Sequence, residues 1–451
     1  MSTSYNAYLY GIRLMNIYNA IYLRAFQKTV EEEREEVIEA TMGGGSKGTI
    51  ADNLMESIYN RWLKNVDDEL EVELKSEHFT SVLSKYTQSL LDLRALFGKA
   101  GYPIEYFDRI FDWYVRSHLA LSLIPKESQM AGYEVVHKRG KSRLLHYLGT
   151  GQESKTEKKQ PLLIIYAPIN TFHILDLETR RSVIRDLLES GSLDVYLLDW
   201  GYPDWSDNNL SLSDYVGYIN DAVNMIKVQT NEAKISILGY CWGGILALIH
   251  ASLRPENLRN LVLMAVPVDF SKDDTMLANW SRVVDVDRMM DEFGHMDGQV
   301  LNLGFIMRNP TRYGFDKYLK FTQRSHDQEF VETFIAVERW LYDTPPIPGA
   351  LHRQIINDCY RNNLMIFGKM QVIENNIKRE IELKKISVPT LSIIAEKDDL
   401  VSPASSLAVN EHISSLDKAV LMNPGGHVAL CISRTAHEKL WPTVAKWLTS
   451  R

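Results

Sequence analysis

The sequence predicts an α/β protein with a mainly parallel sheet, interrupted by a helical cap insertion and preceded by an N-terminal helical region. Three observations carry this. From about residue 125 onward, apolar runs of strand length alternate with helical stretches, the pattern of parallel strands joined by crossover helices. One run, Ile235-Ser-Ile-Leu238, empties into Gly239-Tyr-Cys-Trp-Gly-Gly244, where flanking glycines permit a tight strand-to-helix elbow that projects the central side chain. Between residues 269 and 384 the alternation yields to a helical, aromatic stretch, and two further strand-like runs follow it.

These changes of pattern divide the chain into an N-terminal helical region (1–124), a first part of the α/β core (125–268), a cap (269–384) and a second part of the core (385–451). In the first region Tyr10, Leu14, Ile17 and Ile21 share one helix face, as do Leu54, Ile58 and Trp62, and again Val82, Tyr86, Leu90, Leu93 and Phe97. Gly43-Gly-Gly-Ser-Lys-Gly48 follows an acidic helix face, Glu31 to Glu39, and predicts a flexible connector that leaves the first helix free to move.

In the core, Tyr133–His137 and Ser142–Tyr147 read as a strand pair joined at Gly140. After a lysine-rich loop come strand Leu162–Tyr166, a helix over 180–189, strand Asp194–Leu198 and a helix over 213–229. Strand Ile235–Leu238, the elbow, a helix over 243–253 and strand Leu261–Ala265 complete the first part. The cap is read as helical throughout, with Trp280, Met289, Met290, Phe305, Tyr318, Phe334, Trp340 and Tyr342 spread along it. Strands Thr390–Ala395 and Ala419–Met422 and a helix over 436–449 end the chain.

Composition narrows the chemistry. A net charge of -8 with both signs interspersed gives no electrostatic footprint for nucleic acid. No apolar run reaches the roughly 18 residues of a membrane span, and the polar start lacks a signal-peptide pattern, so a cytoplasmic protein without a transmembrane segment is expected. The three cysteines, Cys241, Cys359 and Cys431, are too few and scattered for a disulfide framework or a zinc cluster. Cys359 and Cys431 lack an elbow and read as packing residues.

A thiol nucleophile requires a base and a group that orients it, both usually at neighbouring strand ends far along the chain. Strand Thr390–Ala395 runs into Glu396-Lys-Asp-Asp-Leu-Val-Ser-Pro403, and the next strand is followed by Asn423-Pro-Gly-Gly-His427. Asp398 and His427 are therefore the candidate acid and base for Cys241, with Asp399 as the alternative acid. Nucleophile, acid, histidine is the chain order of α/β hydrolases. A chance Gly-x-Cys-x-Gly has odds on the order of a few per cent in a chain this long; the ordered triad is the stronger signal.

From Tyr133 onward the chain resembles the polyhydroxyalkanoate synthases, closest to the short catalytic subunits of the two-component (class III-like) type. The resemblance rests on Tyr166-Ala-Pro-Ile-Asn170 with Asp176, Asp199-Trp-Gly-Tyr-Pro-Asp204, Gly239-Tyr-Cys-Trp-Gly-Gly244 and Pro267-Val-Asp-Phe270. Val284-Asp-Val-Asp287, Glu338-Arg-Trp-Leu-Tyr-Asp343, Arg353-Gln354 and Pro424-Gly-Gly-His427 continue it in order. It implies an α/β-hydrolase fold with Cys241 as nucleophile, Asp398 and His427 as its partners, and the backbone N–H groups of Trp242 and Ile169 as oxyanion donors.

It also implies a 3-hydroxyacyl-CoA substrate, 3-hydroxybutyryl-CoA foremost, with polyester as product and no metal or redox cofactor. A homodimer at the surface of its own polymer granule is expected, with the N-terminal helices as the surface for a helical accessory subunit. The rival readings are a cysteine-dependent thioesterase or esterase with the same triad, and a non-catalytic granule scaffold.

Overall fold

The computed structural model describes residues 131–149, 159–309, 312–313, 317–324 and 326–451, together with scattered helical positions between 20 and 99. The chain divides into two compact units, Met1–Leu123 and Ile124–Arg451. In the first, Arg24 pairs with Glu69 at 2.7 Å and Glu73 at 2.8 Å, and Asn65 donates to Thr29 at 3.0 Å and Glu32 at 2.9 Å. The helix bearing Arg24 and Thr29 is thus tied to the one bearing Asn65, Glu69 and Glu73, against the expectation of a free first helix. The apolar stripes and the glycine cluster of this region lie outside the described residues.

In the second unit, β1 (Tyr133–Arg139) and β2 (Ser142–Tyr147) form an antiparallel pair. Their turn is Gly140, at φ +57°, and Lys141. β3 (Gln160–Ile165) follows, then a short hairpin over 176–182 where the sequence reading has the start of a helix. That helix, α1 (Val183–Glu189), begins at Ser182, whose hydroxyl accepts from the Arg185 N–H.

β4 (Leu193–Asp199), α2 (Leu212–Thr230), β5 (Ile235–Tyr240), α3 (Trp242–Leu253) and β6 (Leu258–Met264) complete the first part of the core. The cap helices are α4 (Met276–Val283), α5 (Val286–Phe293), α6 (Gly298–Met307), α7 (Lys317–Gln323), α8 (Gln328–Tyr342) and α9 (Gly349–Gln354). β7 (Thr390–Ala395), β8 (Lys418–Asn423), α10 (Ala429–Ile432) and α11 (Trp441–Thr449) close the chain.

The eight strands form one sheet in the order β1-β2-β4-β3-β5-β6-β7-β8, parallel from β4 to β8 across the row. The central strands are apolar on both faces because helices cover both sides; every residue of β5 and β7 is buried. The chain winds one way from β3 to β4 and the other way from β5 onward, which opens a crevice at the carboxyl ends of β3 and β5.

Residues 371–380 depart from the helical reading of the cap. They form a hairpin, Gln371–Glu374 against Ile377–Glu380, turned by Asn375 at φ +51° and Asn376 at φ +63°. Asn-Asn accepts the left-handed conformation that a two-residue hairpin turn requires. The hairpin sits on core helices: Glu374 accepts from Asn220 of α2 and pairs with Arg254 beyond α3, both at 2.9 Å.

Candidate active site

β5 delivers Cys241 at its carboxyl end, where the chain reverses into α3. Cys241 holds φ +54° and ψ -126°, a strained conformation for a residue with a Cβ and one that persists only where the surroundings enforce it. The neighbours enforce it here: Cys241 N–H donates to Met264 O at 2.9 Å, and Gly244 N–H returns to Cys241 O at 2.9 Å. A Cβ on Gly243 would collide with the Ile165 carbonyl, and one on Gly239 with the backbone of Gly244. Glycine at both positions lets α3 begin directly beneath the end of β3.

The acid and the histidine arrive on adjacent loops that continue the β7–β8 pairing. Glu396 N–H donates to Asn423 O at 3.0 Å and Lys397 N–H to Gly425 O at 2.8 Å, which sets Asp398 against His427. One Asp398 oxygen accepts from His427 Nδ1 at 2.7 Å. The other accepts the N–H groups of Leu400 at 2.9 Å and Val401 at 3.0 Å. Both side chains are withdrawn from water, at 2% exposure for Asp398 and 7% for His427. With Nδ1 committed to the carboxylate, Nε2 is the nitrogen left for Cys241. Burial is the largest influence on His427 and by itself would lower its pKa; the charges of Asp398 and a Cys241 thiolate, with hydrogen bonds to both, outweigh it and raise the pKa.

Asp399, the alternative acid, faces the other way. It meets Arg308 and Arg312 of the cap, each at 3.3 Å, and accepts a hydrogen bond from Tyr313. The guanidinium of Arg308 lies 4.0 Å from the centre of the Tyr313 ring, and burial lowers its pKa. The cap is also fastened to the loop after β3: Trp340 Nε1 donates to Thr171 O at 2.7 Å, Arg180 and Arg181 pair with Glu332 and Glu329, and Thr333 donates to Glu178.

Trp242 is the first residue of α3, so its backbone N–H is among those without an intrahelical acceptor. Its indole is buried near Phe270 and Tyr360. Ile169 lies in the loop after β3, partly buried against the core, just before Asn170 at φ +60°. The fold therefore brings Cys241, Asp398 and His427 together and puts Trp242 and the Ile169 loop at the same end of the sheet. Cys359 and Cys431 are buried, and burial pushes both thiols up, Cys431 to about 12.

Several motif residues other than Cys241, Asp398 and His427 are held in hydrogen bonds and ion pairs of the scaffold. Asp176 accepts from the Ala131 N–H and the Ser182 hydroxyl, both at 2.6 Å. Asp199 takes two bonds from Arg143, and Glu338 pairs with Lys317 at 2.8 Å. Sequence reasoning missed Tyr240, whose ring stacks on His427; an aromatic residue directly before the nucleophile is the signal that could have found it. It also missed the Arg308–Asp399–Tyr313 cluster, whose members are far apart in sequence.

Residues 160–431 match the family model described as the alpha/beta hydrolase fold. The "Poly(3-hydroxyalkanoate) polymerase subunit PhaC" of Synechocystis sp. is 38% identical over 299 residues, covering 64% of this chain and 78% of the relative. The protein of that name from Allochromatium vinosum is 38% identical over 292 residues, covering 64% and 81%. Among solved structures, the monoacylglycerol lipase of Paleococcus ferrophilus aligns over 64% of this chain and 94% of its own, at 15% identity and a TM-score of 0.39.

Proposed function

Because the chain belongs to the poly(3-hydroxyalkanoate) polymerase subunits, acyltransferases on the α/β-hydrolase fold, we propose that it polymerises 3-hydroxyacyl-CoA, 3-hydroxybutyryl-CoA foremost, by covalent catalysis at Cys241. The observation that carries this reading is the buried Asp398–His427 pair, bonded at 2.7 Å through Nδ1, which leaves Nε2 for the thiol at the strained elbow.

In the first step His427 Nε2 takes the Cys241 proton and the sulfur attacks the thioester carbonyl. The backbone N–H groups of Trp242 and Ile169 receive the developing oxyanion. The bond to the CoA sulfur breaks, CoA leaves with the proton from His427, and the acyl group remains on Cys241. In the second step His427 accepts the proton of an incoming acyl hydroxyl, whose oxygen attacks the Cys241 thioester. An ester forms, the sulfur departs, and the proton returns to it. Asp398 keeps Nδ1 protonated and balances the imidazolium in both steps. Thioester-to-thioester exchange is nearly even in free energy, and a thiolate both attacks and leaves readily, which suits repeated transfer. No step requires a metal or redox cofactor.

A hydrolase would use the same triad with water as acceptor. The polymerase reading requires water to lose to the hydroxyl, and the cap is fastened to both loops at this end of the sheet, through Asp399 and through Thr171. Purified protein given 3-hydroxybutyryl-CoA is expected to release CoA and form insoluble polyester, and Cys241→Ala is expected to abolish both. Soluble 3-hydroxybutyrate as the sole acyl product would defeat the reading in favour of a thioesterase.

A homodimer, a helical accessory subunit and attachment to the granule surface in the cytoplasm belong to the same proposal. The word "subunit" in the relatives' names supports an assembly, and no helix among the described residues is long and apolar enough to cross a membrane. Light scattering of the purified protein, alone and with candidate helical proteins, tests it; a monomer with full polymerising activity would refute the assembly.

A further inference from the structure

Both edges of the His427 imidazole have partners in the mechanism, but one of its faces has a partner that the mechanism does not use. Tyr240, the last residue of β5, lays its ring along the imidazole with centroids 5.0 Å apart and planes at 22°. Its hydroxyl donates to the His427 carbonyl at 3.2 Å. Cys431 of α10 is close to Tyr240, and the Tyr166 ring, at the base of the loop bearing Ile169, has its centroid 5.7 Å from that of Tyr240. Tyr240 is buried, so this arrangement is fixed by packing on several sides.

The hydrogen bond to Asp398 anchors one nitrogen but leaves the ring free to tilt about the Nδ1···Oδ2 line. A flat aromatic surface against the face removes that freedom. The π-face also attracts a cation, so it favours imidazolium over imidazole. Both effects matter most for a base that must serve two protons in succession, first from the Cys241 thiol and then from an acyl hydroxyl.

We propose that Tyr240 is a positioning residue whose ring face holds the His427 imidazole in its working orientation and stabilises its protonated form. The inference rests on the Cys241–His427 reading above. The groups facing His427 are Asp398 from the loop after β7, Cys241 from the elbow and Tyr240 from β5; Arg308 of the cap acts on Asp398 from outside.

The test uses full-length protein and three variants: Tyr240→Phe, which keeps the ring, and Tyr240→Leu and Tyr240→Met, which remove it. Two of the readouts are the kcat and KM for CoA release from 3-hydroxybutyryl-CoA. The third is the titration of the His427 ring by NMR of histidine-labelled protein, assigned with His427→Asn. With a stack of this kind, Tyr240→Leu should lower kcat about tenfold with KM within about twofold, and move the His427 midpoint down by about one pH unit. Tyr240→Phe should retain both values.

A folded Leu or Met variant with wild-type kcat and midpoint would overturn the proposal, as would a Phe variant that falls as far as Leu. The Met variant, unbranched and flexible, keeps the test decisive if Leu does not fold. Cys241→Ala is measured alongside. If it still releases CoA, the nucleophile assignment fails whatever the Tyr240 variants do, so the two failures are distinguishable.

Discussion

Two adjacent aspartates with opposite surroundings make a stringent paired test. In Asp398→Asn the amide oxygen can keep the Leu400 and Val401 N–H groups, 2.9 and 3.0 Å away, so the NH2 group is turned toward His427 Nδ1. The imidazole then accepts at Nδ1 and carries its proton on Nε2, the wrong tautomer for a base facing Cys241. The charge that supports the imidazolium is lost as well. A hydrogen bond to a charged group contributes about 1.5–3 kcal/mol, or roughly 10- to 150-fold in rate, and the tautomer penalty adds to it. A loss of about 10²- to 10⁴-fold in CoA release is expected.

Asp399→Asn removes two ion pairs at 3.3 Å: the one with exposed Arg312 is worth about 1 kcal/mol or less, and the one with Arg308, 10% exposed, bears on cap stability and not on the His427 contact. CoA release should then stay within about fivefold of wild type. The assay is continuous detection of free CoA, with circular dichroism to establish that both variants fold. If Asp398→Asn retains activity within about fivefold, or Asp399→Asn loses as much as Asp398→Asn, the assignment of the acid is wrong.

Gly243→Ala should destabilise the fold by about 3 kcal/mol or more, because its Cβ would meet the backbone of Ile165 and Tyr166, which cannot swing aside as a side chain could; urea denaturation or loss of soluble expression reads this. Trp340→Phe removes the 2.7 Å bond to Thr171 O and should cost about 1–3 kcal/mol by leaving a buried carbonyl unpaired. An unchanged urea midpoint would refute that contact. His250 is buried with its pKa lowered to about 3 by desolvation and by Arg254 and Lys227. It stays neutral in the folded chain while the unfolded chain takes up a proton, so its contribution to stability is whole above about pH 6.5 and is lost as pH falls toward 3. His250→Asn should flatten the stability profile across that window, and an unaltered slope would contradict the burial argument.

The sheet was legible because its central strands are apolar on both faces and strand-length, and each βα unit repeats the same change of period. The misreadings have local causes. The sequence pattern extends a helix back to residue 180 because the hairpin at 176–182 is too short to show alternation. The hairpin at 371–380 was hidden by mixed composition, although Asn375-Asn376 carries its turn signal. The independence expected of the first helix assumed that glycines decide mobility, whereas Arg24 and Asn65 place paired groups across the helices.

Chain order pointed to a carboxylate after β7 but could not choose between Asp398 and Asp399, because successive residues in a loop have no fixed facing. The choice is made by backbone geometry: Leu400 and Val401 turn their N–H groups back onto Asp398, and the Glu396–Asn423 and Lys397–Gly425 bonds bring the histidine loop alongside. The next carboxylate must then point outward, where Arg308, Arg312 and Tyr313 take it up. A single turn of loop thus carries the partner of His427 on one side and an anchor for the cap on the other. No linear pattern encodes that division, since the cap residues lie some 90 positions upstream and meet the loop only when the insertion folds over the sheet. The same loop therefore serves two neighbours through two successive residues, His427 through Asp398 and the cap through Asp399.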